Sequence, residues 1–135
     1  MKYLLDVNAL IALGFTEHIF SVRVSTWAES LMSHQVPEFA TTPITELGFV
    51  RILSQGSAYG THVDEARHLL NELKTVSDIK FTFIPDDQDV SLLPAWVKTA
   101  KQTTDGHLAQ LARSNGAILA TLDENIPDSF LIPVS

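Results

Sequence analysis

Four acidic residues stand in apolar surroundings that carboxylates normally avoid. Asp6 and Asp123 each follow a short apolar run, and Glu46 lies in a helical pattern that is apolar nearly all round. Asp105 shares one predicted helix face with Leu108. Because an unpaired buried carboxylate is costly, and because like charges close together need a counter-ion, these acids predict a cation-binding pocket.

The donor types indicate which cation such a pocket would take. The acids offer only oxygen ligands, and the chain has no cysteine. This favours Mg²⁺ or Mn²⁺ over zinc. Such an ion often bridges to a substrate phosphate, so the pocket is typical of phosphodiester hydrolysis by a metal-activated water, without a covalent nucleophile.

Each acid also has a simpler interpretation when it is taken alone. Asp6 and Asp123 would serve well as helix N-caps, and Asp105 would be stabilised by the positive end of a helix. For Glu46 the alternative is a salt bridge, although Arg51 is five positions away and points elsewhere on the helix. The hypothesis of a shared site therefore depends on the set as a whole.

The elements that must position these acids follow from hydrophobic periodicity and from capping and turn signals. The strands are predicted at residues 3–6, 39–41, 79–85 and 117–123, with a last short one within FLIPV near the C-terminus. Helices are predicted at residues 17–34 and 89–101. A third runs from the N-cap Thr42 and Pro43 through residue 53, and a fourth starts at Thr61, where Asp64 would close a capping box. The last is capped by Thr104 or Asp105 and ends at Asn115-Gly116.

Alternation of strands and helices predicts an α/β domain with a central parallel sheet of four to five strands, covered by helices on both faces. Ligands of such sheets bind outside the carboxyl ends of the strands, where Asp6 and Asp123 are expected. At 135 residues the chain fits a single domain spanning 1–135.

Composition narrows the functional classes. The net charge of −7 argues against general nucleic-acid binding through a basic surface. The N-terminal apolar stretch is interrupted at Asp6 and Asn8, too early for a signal peptide, and no later run reaches membrane-spanning length. These features predict a soluble, cytoplasmic protein with no membrane association.

The segments LLDVNALIAL, TPITELGFVRIL, TTDGHLAQLA and ILATLD together resemble the PIN-domain ribonucleases, and more closely the VapC toxins of toxin-antitoxin pairs. The resemblance implies a three-layer α/β/α fold and a pocket for Mg²⁺ or Mn²⁺ with Asp6 as its central ligand. The residues it assigns to that pocket are Asp6, Glu46, Asp105 and Asp123, with Asn8 and Thr104 as supporting groups that orient ligands or substrate.

The resemblance also implies a function and partners. It implies endonucleolytic cleavage of RNA by a toxin, inhibition by a cognate antitoxin, and a homodimer. The chain departs from the commonest family pattern at Gly106-His107. The alternative from another class is a catalytically silent PIN-like protein that binds RNA or an antitoxin, because fold does not fix function.

Other polar and aromatic residues are expected outside the site. The five histidines show no metal-binding spacing, and His107 alone is expected near the pocket, in a structural role. Asp86, Asp87 and Asp89 are predicted to form a solvated turn after Pro85. Two tryptophans, Trp27 and Trp96, could stack on bases, but their helical context predicts packing in the core or in an interface.

Overall fold

The computed structural model describes residues 1–56, 58–75 and 77–135. In chain order its strands and α-helices are β1 (Lys2–Leu5), α1 (Val7–Gly14), α2 (Ser21–Met32), β2 (Glu38–Thr41), α3 (Pro43–Ser54), α4 (Val63–Thr75), β3 (Lys80–Phe83), α5 (Thr103–Ser114), β4 (Ala117–Thr121) and β5 (Ser129–Leu131). Short 3₁₀ turns at Val90–Leu92 and Ala100–Gln102 lie between β3 and α5. Within the described ranges, no helix is both long and apolar enough to cross a membrane.

All five strands form one parallel sheet in the order β3-β2-β1-β4-β5, which confirms the predicted sheet. The central strand β1 pairs on both sides, so that Tyr3 lies opposite Phe39 of β2 and Ile118 of β4. The chain first builds outward from β1 to β3 and then crosses back to β4. The carboxyl ends of β1 and β4 therefore flank the point where the strand order reverses, which is where open α/β sheets bind ligands.

Helices cover both faces of the sheet, as the predicted three layers require. Successive residues of a strand point to opposite faces, so Tyr3 and Leu5 pack into one core and Leu4 into the other. The first core is completed by helices α1 to α4, through side chains such as Trp27 and Phe49. The second core is covered by α5, whose buried side chains include Leu108 and Leu111.

The residues between β3 and α5 differ most from the prediction. The predicted helix at 89–101 is wrong, because Asp89 caps only a 3₁₀ turn at Val90–Leu92 and the chain then reaches Pro94. Pro94 has no N–H to donate and its ring opposes a continuing helix. Trp96 follows and packs on the core beside α5, as expected of it.

Three helix starts also differ from the prediction. Helix α2 begins at Ser21, four residues after the predicted start at 17. Helix α4 begins at Val63, and the Glu65 carboxylate accepts the His62 N–H at 3.4 Å, so the predicted capping box of Thr61 and Asp64 is wrong. Helix α5 begins at Thr103, which places Thr104 and Asp105 inside its first turn instead of at the cap. The Asp105 carboxylate therefore projects from the helix itself.

The start of α3 was predicted correctly, but its burial was not. Thr42 is the N-cap, Pro43 the first helical residue, and the Thr42 N–H donates to Thr45 Oγ1 at 3.0 Å. The expected all-round burial is wrong at Leu47, which is 71% exposed. One face of α3 thus opens onto a groove against α4.

Gly106 allows α5 to pack closely on the segment before it. A Cβ at this position would lie 2.2 Å from Val97 Cγ2 and 3.4 Å from Pro94 Cδ. We expect Gly106→Ala to destabilise the protein, because overpacking costs about 1–3 kcal/mol and exceeds the gain of about 1 kcal/mol in helix propensity. Urea unfolding measures the change, with the exposed Ser114→Ala in the same helix as control. A Gly106→Ala protein at least as stable as the wild type would contradict the close packing.

Candidate active site

Asp6 is fixed by hydrogen bonds to both carboxylate oxygens. It follows β1 directly and caps α1, where Oδ1 accepts the Ala9 N–H at 2.8 Å. Oδ2 accepts a hydrogen bond from the Thr121 hydroxyl at the end of β4. The residue is 8% exposed, so one buried carboxylate joins the carboxyl ends of two neighbouring strands.

The charges of Asp6, Asp105 and Asp123 act on one another. Burial raises the pKa of the Asp6 carboxyl, and the negative charges of Asp105 and Asp123 raise it further. The hydrogen bonds from Thr121 and Ala9 lower this pKa, but the net shift is upward. Burial and the charge of Asp123 raise the pKa of Asp105 as well. Among the described residues, no lysine, arginine or histidine forms a salt bridge with any of these three aspartates. The group therefore carries negative charge without a protein counter-charge.

Thr121 is a site residue that sequence reasoning missed. It is fully buried as the last residue of β4, and its hydroxyl donates to Asp6 while accepting the Asp123 N–H at 3.0 Å. One hydroxyl thus positions two of the acids. The available signal was its place two residues before Asp123, on the same strand end.

Glu46 has two hydrogen-bond partners of its own. Its Oε2 accepts hydrogen bonds from Thr41 Oγ1 and from Lys74 Nζ, each at 2.6 Å. It lines a groove of about 890 Å³ between α3 and α4, whereas Asp6 and Asp123 line a different cleft. Lys74 of α4 therefore supplies the positive charge that balances the partly buried Glu46 carboxylate.

The cleft at Asp6 has a volume of about 340 Å³. Asn8 lines it and is exposed, which places this predicted supporting residue beside Asp6. Thr104 is also exposed, in the first turn of α5, and its side chain makes no hydrogen bond within the described part of the chain. The other side chains that line the cleft are His18, Ile19, Phe20, Leu122 and Asp123.

His18 and not His107 is the histidine that lines this cleft, so the expectation that only His107 lies near the pocket is wrong. His107 Nε2 is 2.7 Å from Asp86 Oδ2, a contact that ties α5 to the loop after β3 and agrees with a structural role. His18 is 9% exposed, and burial lowers the pKa of its imidazole. Its Nδ1 accepts the Phe20 N–H at 3.0 Å, and its ring is nearly parallel to that of Tyr59.

The three aspartates fit a hydrated divalent cation better than they fit a bare one. Within residues 1–56, 58–75 and 77–135, no three acidic or histidine side chains converge into a complete metal-binding group. Mg²⁺, however, usually keeps several waters and takes only one or two protein carboxylates. Asp6, Asp105 and Asp123 provide oxygen donors and an uncompensated charge, whereas Lys74 already neutralises Glu46.

Comparisons with known proteins agree with this fold. The PIN domain family model matches residues 3–129. Ribonuclease VapC39 of Mycobacterium tuberculosis is 36% identical, over 96% of this chain and 94% of its own length. Ribonuclease VapC38 of the same organism is also 36% identical, over 91% of this chain and 86% of its own length. The crystal structure of VapBC2 from Rickettsia felis bound to a promoter DNA fragment is similar in fold, with a TM-score of 0.62, 15% identity and 97% coverage of each chain. The chain therefore belongs to the PIN-domain family, among the VapC-type ribonucleases.

Proposed function

We propose that the protein is the endoribonuclease toxin of a toxin-antitoxin pair and that it hydrolyses RNA phosphodiester bonds with Mg²⁺ or Mn²⁺. The observation that carries the proposal is the uncompensated charge of Asp6, Asp105 and Asp123 at the switch point of the sheet. Relatives at 36% identity bear the name ribonuclease VapC, which supports RNA as the substrate.

Asp6, Asp105 and Asp123 would hold the ion, with Asp6 as the central ligand. The buried and hydrogen-bonded carboxylate of Asp6 has the most restricted orientation of the three. Glu46 belongs to the proposed acidic set in a weaker role, because its Oε2 already contacts Lys74 and Thr41. A bound divalent cation supplies polarisation of the scissile phosphate and a lowered pKa for the attacking water.

Residues of the chain itself perform the positioning. The Thr121 hydroxyl and the Ala9 N–H fix the two oxygens of Asp6. Asn8 offers an amide donor from the same cleft for substrate oxygens. In this proposal Thr104 orients substrate from the first turn of α5, one position before Asp105.

The weaker role of Glu46 leads to a graded prediction. We expect Glu46→Gln to reduce the cleavage rate about tenfold. Loss of a residue that supports a metal ligand typically costs about ten- to a hundredfold in activity, and Glu46 should lie at the lower end of that range. The amide keeps an acceptor for Thr41, so folding should persist. Initial rates under saturating Mn²⁺ measure the effect, and Asp64→Asn, an exposed acid of the same groove, is the matched control. A loss as large as that of an aspartate of the set would place Glu46 among the direct ligands.

The proposed partners are a cognate antitoxin and a second copy of the chain, in the cytoplasm. The antitoxin follows from the VapC-type relatives, and the similar Rickettsia felis structure is named as a VapBC2 complex. The groove between α3 and α4 carries the exposed side chains of Leu47, Val63 and Phe83, which suit burial against protein. Light scattering of the purified chain tests the homodimer.

The decisive experiment is cleavage of total RNA by the purified protein with Mg²⁺, with Mn²⁺ and with EDTA. The variants Asp6→Asn and Asp105→Asn are compared at matched folding. We expect cleavage that requires the metal and disappears in both variants. Cleavage that survives EDTA or both substitutions would contradict the proposed pocket.

A silent protein that binds RNA or an antitoxin is the second candidate. The observation that favours it is the pairing of Glu46 with Lys74, which already neutralises one member of the proposed acidic set. Tight binding of a partner without metal-dependent turnover would support this function and refute the nuclease.

A further inference from the structure

We infer that His18 positions an unpaired RNA nucleotide beside the proposed catalytic aspartates by donating a hydrogen bond from Nε2. The inference rests on the proposed function, since it assigns a substrate contact within the same cleft. His18 lines that cleft together with Asp6 and Asp123. It follows α1 by a short turn, in which its own N–H donates to the Phe15 carbonyl at 3.1 Å.

The surroundings of His18 determine which of its ring nitrogens is a donor. Nδ1 accepts the Phe20 N–H at 3.0 Å, so it carries no proton in this arrangement. A neutral imidazole then has its proton on Nε2. Nε2 has no hydrogen-bond partner within the described part of the chain. The neutral ring therefore has one N–H donor that no described residue uses, and a substrate oxygen can accept a hydrogen bond from it.

The ring plane is also restrained. The imidazole lies nearly parallel to Tyr59, at 7° and with 6.4 Å between centroids, and 5.9 Å from the Phe20 ring. Only 9% of His18 is exposed. A donor that is held in place before binding loses little conformational entropy when a substrate oxygen accepts its proton.

Next to His18, the cleft has an apolar wall that an unpaired base would cover. Ile19 is 85% exposed and the Phe20 ring is 41% exposed, and both line the cleft with the acids. Proteins recognise single-stranded RNA by stacking splayed bases on aromatic or apolar side chains and by hydrogen bonds to their edges. A paired base offers neither its face nor its Watson–Crick edge, so this wall selects unpaired nucleotides.

The test uses two substitutions that divide the functions of the imidazole. His18→Asn retains an acceptor near Nδ1 for the Phe20 N–H but removes the distant donor. His18→Gln places an amide donor near Nε2 but loses the acceptor at Nδ1. We expect His18→Asn to lower kcat/KM on a single-stranded RNA oligonucleotide about tenfold or more, mainly through KM, at a temperature where circular dichroism shows that the variant is folded. His18→Gln should recover most of kcat/KM.

Binding without cleavage separates this inference from the proposed function. In an Asp6→Asn background, fluorescence anisotropy compares a labelled single-stranded RNA with its blunt duplex, with and without His18→Asn. We expect tighter binding of the single strand and a loss of that preference in the double variant. Equal kcat/KM and equal binding for His18→Asn and its parent would overturn the inference and leave the nuclease intact. A wild type that never cleaves, yet loses single-strand binding through His18→Asn, would refute the nuclease and keep His18 as an RNA contact.

Discussion

Asp6→Asn is expected to abolish RNA cleavage, by about a thousandfold or more, and to raise the melting temperature of the metal-free protein. Burial and two neighbouring carboxylates raise the pKa of Asp6, so its ionised form destabilises the fold near neutral pH. Asparagine has the same shape and is an equally good N-cap, and it keeps the bond from the Ala9 N–H. The substitution thus removes the charge and keeps the helix cap, while the Thr121 hydroxyl meets an amide N–H that donates to it instead of a carboxylate oxygen that accepts from it.

The sign of the pH dependence follows from the raised pKa. The folded-state pKa of Asp6 lies above its ordinary value of 3.8, so the folded protein binds this proton more tightly than the unfolded chain does. The stability gained by that binding is fully present below pH 3.8 and is lost as the pH rises through the folded-state pKa. Calorimetry in EDTA should therefore show that the advantage of Asp6→Asn over the wild type grows as the pH is raised toward neutrality.

Metal addition provides the complementary measurement. Mn²⁺ or Mg²⁺ should raise the melting temperature of the wild type, because a ligand of the folded state stabilises it, and should leave Asp6→Asn nearly unchanged. Asp87→Asn, an exposed acid outside the site, is the control. An Asp6→Asn protein that melts below the wild type and still responds to metal would identify Asp6 as a helix cap alone.

The proximity of Asp6 and Asp123 was predictable, because parallel strands bring their carboxyl ends to one edge of the sheet. Each acid directly follows an apolar run, and this local signal was sufficient. The partner of Glu46 was not predictable in this way. Lys74 is 28 residues further along the chain and reaches Glu46 only because α3 packs on α4. Helical spacing within one element contains no information about such a contact.

The same reason explains why His18 and α1 were missed. His18 reaches the cleft because a turn after Phe15 returns the chain toward the end of β1, and no spacing rule encodes that return. The sequence of α1, Val7–Gly14, continues the apolar run of β1, so its helical period is hidden. Only the cap by Asp6 separates the strand from the helix.

Thr121→Val is expected to reduce cleavage about ten- to a hundredfold, as does loss of a group that orients metal ligands. Valine has nearly the shape of threonine but removes the hydroxyl that donates to Asp6 and accepts the Asp123 N–H. Loss of that donor raises the pKa of Asp6 further, because the hydrogen bond from Thr121 lowers it in the wild type. The Asp123 N–H also loses its acceptor and must bond to water instead, because Asp123 is exposed.

Thr121→Ser separates these effects from simple packing. Serine restores the hydroxyl but lacks the methyl group in a fully buried position, so it should recover cleavage while losing some stability. Rates measured across a Mn²⁺ titration distinguish weaker metal binding from a misplaced carboxylate. Since one hydroxyl contacts two of the proposed metal-binding residues, Thr121→Val should shift the Mn²⁺ concentration at half-maximal rate as well as the maximal rate. A variant with wild-type values of both would mean that the helix cap and the sheet already fix Asp6 without the Thr121 hydroxyl.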